Sequence, residues 1–180
     1  MKLLLHTCCG PCLSGVYGVL ADEQIDMTAY FFNPNVHPQA EFEKRVGAFL
    51  DFTSRTKMKI VMNDMYGREM FEKEVLTAKG ERCVNCYRLR LEATAVHAAK
   101  NGYDEFSTTL LISPYQKHEK IRAVGEELAV KHSIRFMYRD FRPYYRESQR
   151  IAREMGLYRQ KHCGCFLSEA EANLRERVTA

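Results

Sequence analysis

The feature that most constrains this chain is an alternation, running from its first residues, of short apolar stretches with longer segments of helical periodicity. Lys2–His6 reads as a buried strand, Leu13–Glu23 as a helix and Met27–Asn33 as a second strand. Gln39–Arg55 predicts a helix with Phe42, Val46, Phe49, Leu50 and Thr53 on one face, at helical spacing. A strand at Lys59–Asn63, a helix near Arg68–Thr77, a helix over Tyr87–Lys100 and a strand at Glu105–Ile112 continue the pattern. Ser113-Pro114-Tyr115-Gln116 then predicts a helix start, with Ser as cap, Pro in the first turn and Gln closing a capping box, and the helix runs to about Lys131. A strand at Ile134–Tyr138, a helix at Glu147–Met155 and a last helix opened by Ser168 and Glu171 complete the reading. Such a chain builds an α/β fold, a parallel sheet sandwiched by helices, because strands buried on both faces need helical crossovers. Ligands in these sheets sit beyond the carboxyl ends of the strands, which is where the Cys8–Cys12 segment and Ser113 fall.

The length of 180 residues suits one domain spanning 1–180, able to bury roughly two-thirds to three-quarters of its unfolded surface without disulfides. With 46% hydrophobic and 28% charged residues, the composition argues against disorder. The apolar run in Met1–His6 is too short for a signal peptide, and no stretch reaches the roughly 18 apolar residues of a membrane helix. The expectation is a cytoplasmic protein with no membrane partner. In a reducing compartment seven cysteines, an odd number, point to metal binding or catalysis rather than to structural disulfides.

Those cysteines fall in three groups: Cys8-Cys9-Gly10-Pro11-Cys12, Cys83-Val84-Asn85-Cys86 and Cys163-Gly164-Cys165. Pairs three residues apart can turn both sulfurs toward one centre, and four thiolates satisfy either a tetrahedral zinc or a four-iron cluster. Zinc held by Cys9, Cys12, Cys83 and Cys86, in a non-catalytic RNA-binding module, is the competing reading. Five cysteines in the first two groups, one more than zinc needs, and a separate Cys-x-Cys able to pass electrons favour an iron–sulfur centre. Cys163 and Cys165 can close a disulfide only if Gly164 bends the chain. The strained ring would be easily reduced, which suits a redox relay better than a staple, two free thiols or ligands of another metal being the alternatives.

Between Arg135 and Lys161, eight basic residues (Arg135, Arg139, Arg142, Arg146, Arg150, Arg153, Arg159, Lys161) face three acidic ones (Asp140, Glu147, Glu154). Phe136, Tyr138, Phe141, Tyr144, Tyr145 and Tyr158 are interleaved, a mix that suits phosphate contacts with base stacking, or else a solvated helix face over core aromatics. A nucleotide-dependent thiolase is disfavoured, because the loop after the first strand has one glycine and a proline and so few amide donors for a pyrophosphate.

Four stretches together, HTCCGPC (His6–Cys12), ERCVNCYRLRLEATA (Glu81–Ala95), FSTTLLISPYQ (Phe106–Gln116) and LYRQKHCGCFLSE (Leu157–Glu169), resemble the cobalamin-independent epoxyqueuosine reductases, the QueH family. The sequence departs from that family's pattern at His162, where a tyrosine is expected, and at Pro143, where a lysine is expected; every cysteine is in place. The resemblance implies an adenine-nucleotide alpha-hydrolase-like, Rossmann-like fold. It implies reduction of epoxyqueuosine to queuosine at the tRNA anticodon wobble position, with electrons from an external donor. It also implies a [4Fe-4S] cluster on Cys8, Cys9, Cys83 and Cys86, and a redox disulfide of Cys163 with Cys165. Cys12 is left over, either as a wall of the site holding a second iron or in exchange for Cys8 or Cys9 as ligand. Tyr87, Tyr115, His6 and Asp140 are the candidate proton donors, and Thr108, Thr109 and Ser113 are placed to meet a modified base at the rim.

Overall fold

The computed structural model describes residues 1–179, with side chains described as far as Leu174. Five strands, β1 (Lys2–His6), β2 (Asp26–Phe32), β3 (Lys59–Asn63), β4 (Glu105–Thr108) and β5 (Arg135–Phe136), form one sheet in the order β3-β2-β1-β4-β5. All four pairings are parallel; Leu3 faces Met27 on one side and Glu105 on the other. Leu3, Leu4 and Leu5 are fully buried, as the middle strand of a sheet covered on both faces requires.

Helices α1 (Gly10–Asp22), α2 (Gln39–Thr56) and α6 (Tyr145–Glu154) pack together on one face. Helices α4 (Arg82–Lys100) and α5 (His118–Lys131) cover the other face, α4 lying over β1, β2 and β4. The short α3 (Arg68–Phe71) runs into a π-helical turn at Glu72–Leu76, and α7 (Phe166–Thr179) closes the chain. The chain moves outward from β1 through β2 to β3, then crosses to β4 on the opposite side of β1. That reversal opens a crevice at the carboxyl ends of β1 and β4, the usual ligand position in such sheets.

The α/β class and the strand order along the chain match the sequence expectation; the boundaries differ in instructive places. Helix α1 begins three residues earlier than predicted because Cys9 caps it, its Sγ accepting from the Cys12 amide, and Pro11 lies in the first turn. Helix α4 begins at Arg82, five residues early, which puts Cys83 and Cys86 in its first turns. Strand β4 stops at Thr108, whose Oγ1 accepts from the Leu110 amide and starts a 3-10 turn over Thr109–Ile112. The capping box predicted at Ser113 does not form. Ser113 Oγ accepts from the Tyr115 amide in a turn, and α5 starts only at His118. Strand β5 is two residues long, and α7 opens at Phe166 rather than at Ser168. On α2, Leu50 points to solvent and Phe52 is buried in its place.

Candidate metal centre

Each of the three cysteine groups lies at the start of a helix. Cys9 is the N-cap of α1, Cys83 and Cys86 occupy the first turns of α4, and Cys165 precedes α7 with its Sγ accepting from the Ser168 amide. Backbone N–H groups at helix starts favour anionic sulfur. Six of the cysteines, Cys8, Cys12, Cys83, Cys86, Cys163 and Cys165, line one cavity of about 680 Å³ at the carboxyl edge of the sheet. That volume lies in the range of small-molecule sites, roughly 300–1,000 Å³.

Cys8, Cys9 and Cys12 form the tight group: their sulfurs lie within 4.8 Å of one another and all three residues are buried. The Cys8 and Cys9 sulfurs are 3.6 Å apart. The Cys8 amide donates to Thr109 Oγ1 (3.1 Å), and that hydroxyl donates back to Cys8 Sγ (3.4 Å), tying the first loop to the end of β4. Hydrogen bonds from Cys12, Cys9 and Thr109 overcome burial and hold the Cys8 thiol well below its usual range. Burial drives Cys9 up, and sulfur contacts with Cys8 and Cys9 drive Cys12 up. Of the three, Cys8 is the one whose surroundings favour a thiolate. Such a set of soft, buried donors can hold a metal.

Cys83 and Cys86 are on the same cavity wall as the third group, outside the tight triad. Cys86 packs with Phe71, Val75 and Cys165 in a separate apolar cluster, and burial pushes its thiol up to about 12. Cys163 is exposed and Cys165 buried; both are free thiols, so the disulfide expected from the sequence is not formed in this structure. Gly164 between them sits at φ +138°, where a Cβ would come within 2.9 Å of Asn35 Nδ2.

Several residues that serve this site were not singled out from the sequence. Arg45 is 1% exposed; it pairs with Glu41 at 2.8 Å and donates to the carbonyls of Cys163 (2.9 Å) and His162 (3.0 Å), fixing the third cysteine loop over the cavity. Gln160 Nε2 donates to Cys9 Sγ at 2.8 Å, and Gln116 Nε2 to Cys163 Sγ at 3.3 Å. Arg90, also 1% exposed, lines the cavity one turn beyond Cys86. The only signal available beforehand was that Arg45 and Arg90 interrupt helix faces that are otherwise apolar.

The four candidate proton donors separate clearly. His6 is fully buried, its Nδ1 on Thr108 Oγ1 (2.8 Å) and its Nε2 on the Phe32 carbonyl (3.3 Å); burial and Arg90 lower it to about 3, so it is a neutral structural histidine. Asp140 is held ionised at about 2 by Arg142 and is not on the cavity wall. Tyr87 and Tyr115 are on the wall, Tyr87 donating to Gln116 Oε1 at 2.7 Å, with its hydroxyl pushed up by burial. Tyr115 is 77% exposed and meets Tyr145 edge to face at 6.0 Å beside the opening.

The basic stretch is less available than its count suggests. Arg139 pairs with Glu23, Arg142 with Asp140, and Arg150 with Glu147 and Glu154. Arg135, Arg146, Arg153, Arg159 and Lys161 have no carboxylate partner among the described residues. Phe141 is core, Phe136 packs on Phe106, Tyr138 lies under Arg122 and Tyr158 donates to Glu41, while Tyr144 is exposed and Tyr145 lines the cavity.

The family model for epoxyqueuosine reductase QueH matches residues 3–171. The chain belongs to the QueH family. An epoxyqueuosine reductase QueH of Dehalococcoides mccartyi is 36% identical over 170 residues, covering 94% of this chain and 93% of that one. The Thermotoga maritima QueH is 32% identical over 179 residues (94% and 91% covered), and the Streptococcus pyogenes QueH 32% over 177 (91% and 69%). At the QueH departure His162, the ring Nδ1 accepts from the Gly164 amide at 3.2 Å, a local bond inside the third cysteine loop. No helix of the described residues is long and apolar enough to cross a membrane.

Proposed function

We propose that this chain is an epoxyqueuosine reductase, acting in the cytoplasm on the wobble nucleoside of a tRNA anticodon. The overall change takes two electrons and two protons, forms the cyclopentene double bond of queuosine and releases the epoxide oxygen as water. The observation that carries this reading, beside membership of the family, is the convergence of three cysteine segments on one cavity at the sheet's carboxyl edge.

The donor set fits an iron–sulfur centre: the sulfurs are soft, those of Cys8, Cys9 and Cys86 are buried and that of Cys83 half-buried, and the side-chain amide of Gln160 donates to Cys9. Cys8, Cys9, Cys83 and Cys86 are the proposed ligands of a [4Fe-4S] cluster; Cys12, beside Cys8, is the ligand in reserve or the holder of a second iron. Bound there, such a centre supplies electrons singly and a Lewis-acidic iron for the departing oxygen. The other duties fall to the chain. Tyr87 keeps its proton at neutral pH because burial raises it, and Gln116 and the Lys117 amide fix its hydroxyl, so it is the proposed acid for the departing oxygen. Tyr115 and Tyr145 offer ring faces to bases at the opening, and Lys161 offers charge for phosphates. A base in a single-stranded loop leaves its stack cheaply, as entry into this cavity requires. Exposed Cys163 is the thiol an external donor would meet first, with buried Cys165 behind it.

Anaerobic purification with iron and sulfide determination, a visible spectrum and nucleoside analysis of epoxyqueuosine-containing tRNA tests the reading. Iron, acid-labile sulfide and queuosine formation are expected; zinc without sulfide and no conversion would favour the RNA-binding module instead.

A further inference from the structure

Helix α4 carries Cys83, Cys86 and Arg90 at i, i+3 and i+7, on one face directed at the cavity. Arg90 is buried to 1% exposure, yet no carboxylate lies within 4.0 Å of it among the described residues. Its Nε reaches only the Cys86 carbonyl, at 3.3 Å, its Nη2 has no hydrogen-bond partner, and its guanidinium lies 6.0 Å from the Tyr87 ring centroid. A guanidinium cannot shed its proton to relieve burial, so a buried one without an anion is strongly disfavoured. It shares the cavity wall with Cys86, Cys163 and Cys8, one residue from each cysteine segment, so the groups there that can become its counter-anions are sulfurs. The starts of α1, α4 and α7 add positive potential at the same cavity.

We infer that Arg90 is the fixed countercharge of this cavity, shared between the first cysteine loop and α4, so that it favours an anionic, thiolate-ligated occupant and raises its electron affinity. Arg90 is a positioning residue; it acts through the sulfurs. The claim about a bound centre rests on the function proposed above, whereas the claim about charge at the sulfurs does not. A substrate phosphate is the other anion class, but Arg90 is buried against Cys86, whereas Lys161 on the same cavity is exposed to solvent.

Arg90→Gln and Arg90→Lys test this. In reduced, chelator-treated chain, the rates of alkylation by anionic iodoacetate and neutral iodoacetamide are compared at Cys8 and Cys86 by peptide mass spectrometry. Loss of one nearby positive charge should cut the iodoacetate-to-iodoacetamide ratio by about threefold or more in Arg90→Gln, and Arg90→Lys should restore it. An unchanged ratio overturns the inference. If Arg90→Gln does not fold, the wild-type ratio is compared with that of the same chain in urea, and equal ratios overturn it as well. In anaerobically purified chain, the midpoint potential should move to more negative values in Arg90→Gln and return in Arg90→Lys. An unmoved potential with weakened tRNA binding would make Arg90 a phosphate contact and overturn the inference. Absence of sulfide-bearing iron would sink the proposed function while leaving the alkylation ratio to decide on Arg90.

Discussion

Replacing Gly10 by Ala should damage both the stability of the chain and the metal binding proposed for the sulfur triad, and the two effects should travel together. A Cβ at Gly10 would lie 2.5 Å from the carbonyl oxygen of Ala48 and 2.8 Å from its carbonyl carbon. Both are backbone atoms of α2, so no side chain can swing aside. An ordinary carbon–oxygen contact needs roughly 3.3 Å, so α1 must draw back from α2 by several tenths of an ångström at this point. Overpacking of that kind costs about 1–3 kcal/mol, which for a chain of this size lowers Tm by about 3–10 °C. Gly10 stands between Cys9 and Cys12 in the first turn of α1, so the same displacement pulls on the sulfur triad and should lower iron content. Gly18→Ala is the control: it lies on the same helix with nothing within 4 Å of the new Cβ, and should stabilise by about 0.5–1 kcal/mol. Thermal melts and iron stoichiometry of the two variants decide. A Gly10→Ala chain that melts with wild type and carries its full iron would refute the reasoning about how α1 and α2 position the triad.

Arg45→Met leaves Glu41 buried without its partner and frees the His162 and Cys163 carbonyls; a loss of about 3–5 kcal/mol is expected, read by urea denaturation, with faster alkylation of Cys165. Cys163→Ser should keep the bound metal and support a single turnover but not repeated ones; unchanged steady-state activity would remove the relay. Burial, then Arg90, depress His6 from 6.5 to about 3, so only the unfolded chain takes up its proton between those values. The stability this confers is complete above pH 6.5 and is lost as pH falls, by about 2 kcal/mol at pH 5, and His6→Gln should flatten that slope in urea melts at pH 7 and pH 5. Binding of tRNA should weaken steeply with salt, and removing exposed Arg159 and Lys161 together should lower the log–log slope by roughly 1–2.

What the sequence disclosed and what it hid divide along a physical line. Strands β1 and β2 were legible because apolar runs buried on both faces leave a local mark, as Leu3-Leu4-Leu5 does, and the less buried edge strand β3 through its short apolar run Ile60-Val61-Met62. Helix starts were misplaced where the cap was not a standard one: a cysteine sulfur at Cys9 leaves no signature in a code built on Ser, Thr, Asp and Asn. Ser113 and Ser168 carried the standard signature and used it otherwise, Ser113 on a tight turn and Ser168 on the Gly164 amide and the Cys165 carbonyl. The cysteines announced a site by their clustering, but which sulfurs sit together depends on how far α1 and α4 extend toward the cavity, and spacing does not contain that.

The misplaced boundaries and the hidden residues have one cause. Starting α1 and α4 three and five residues early brings Cys9 with Cys12, and Cys83 with Cys86, onto helix ends, where the Cys12 amide faces the Cys9 sulfur. A loop could have held the same thiols, but the helix fixes their direction, and it also brings Arg90 round to the same face as Cys83 and Cys86. The buried arginine and the early helix start therefore go together: both follow from placing the cysteines on helix ends at one cavity. Because Cys83 and Cys86 are on the helix with Arg90, removing that cation should be felt most at Cys86, one turn away, and less at Cys8 on the far segment.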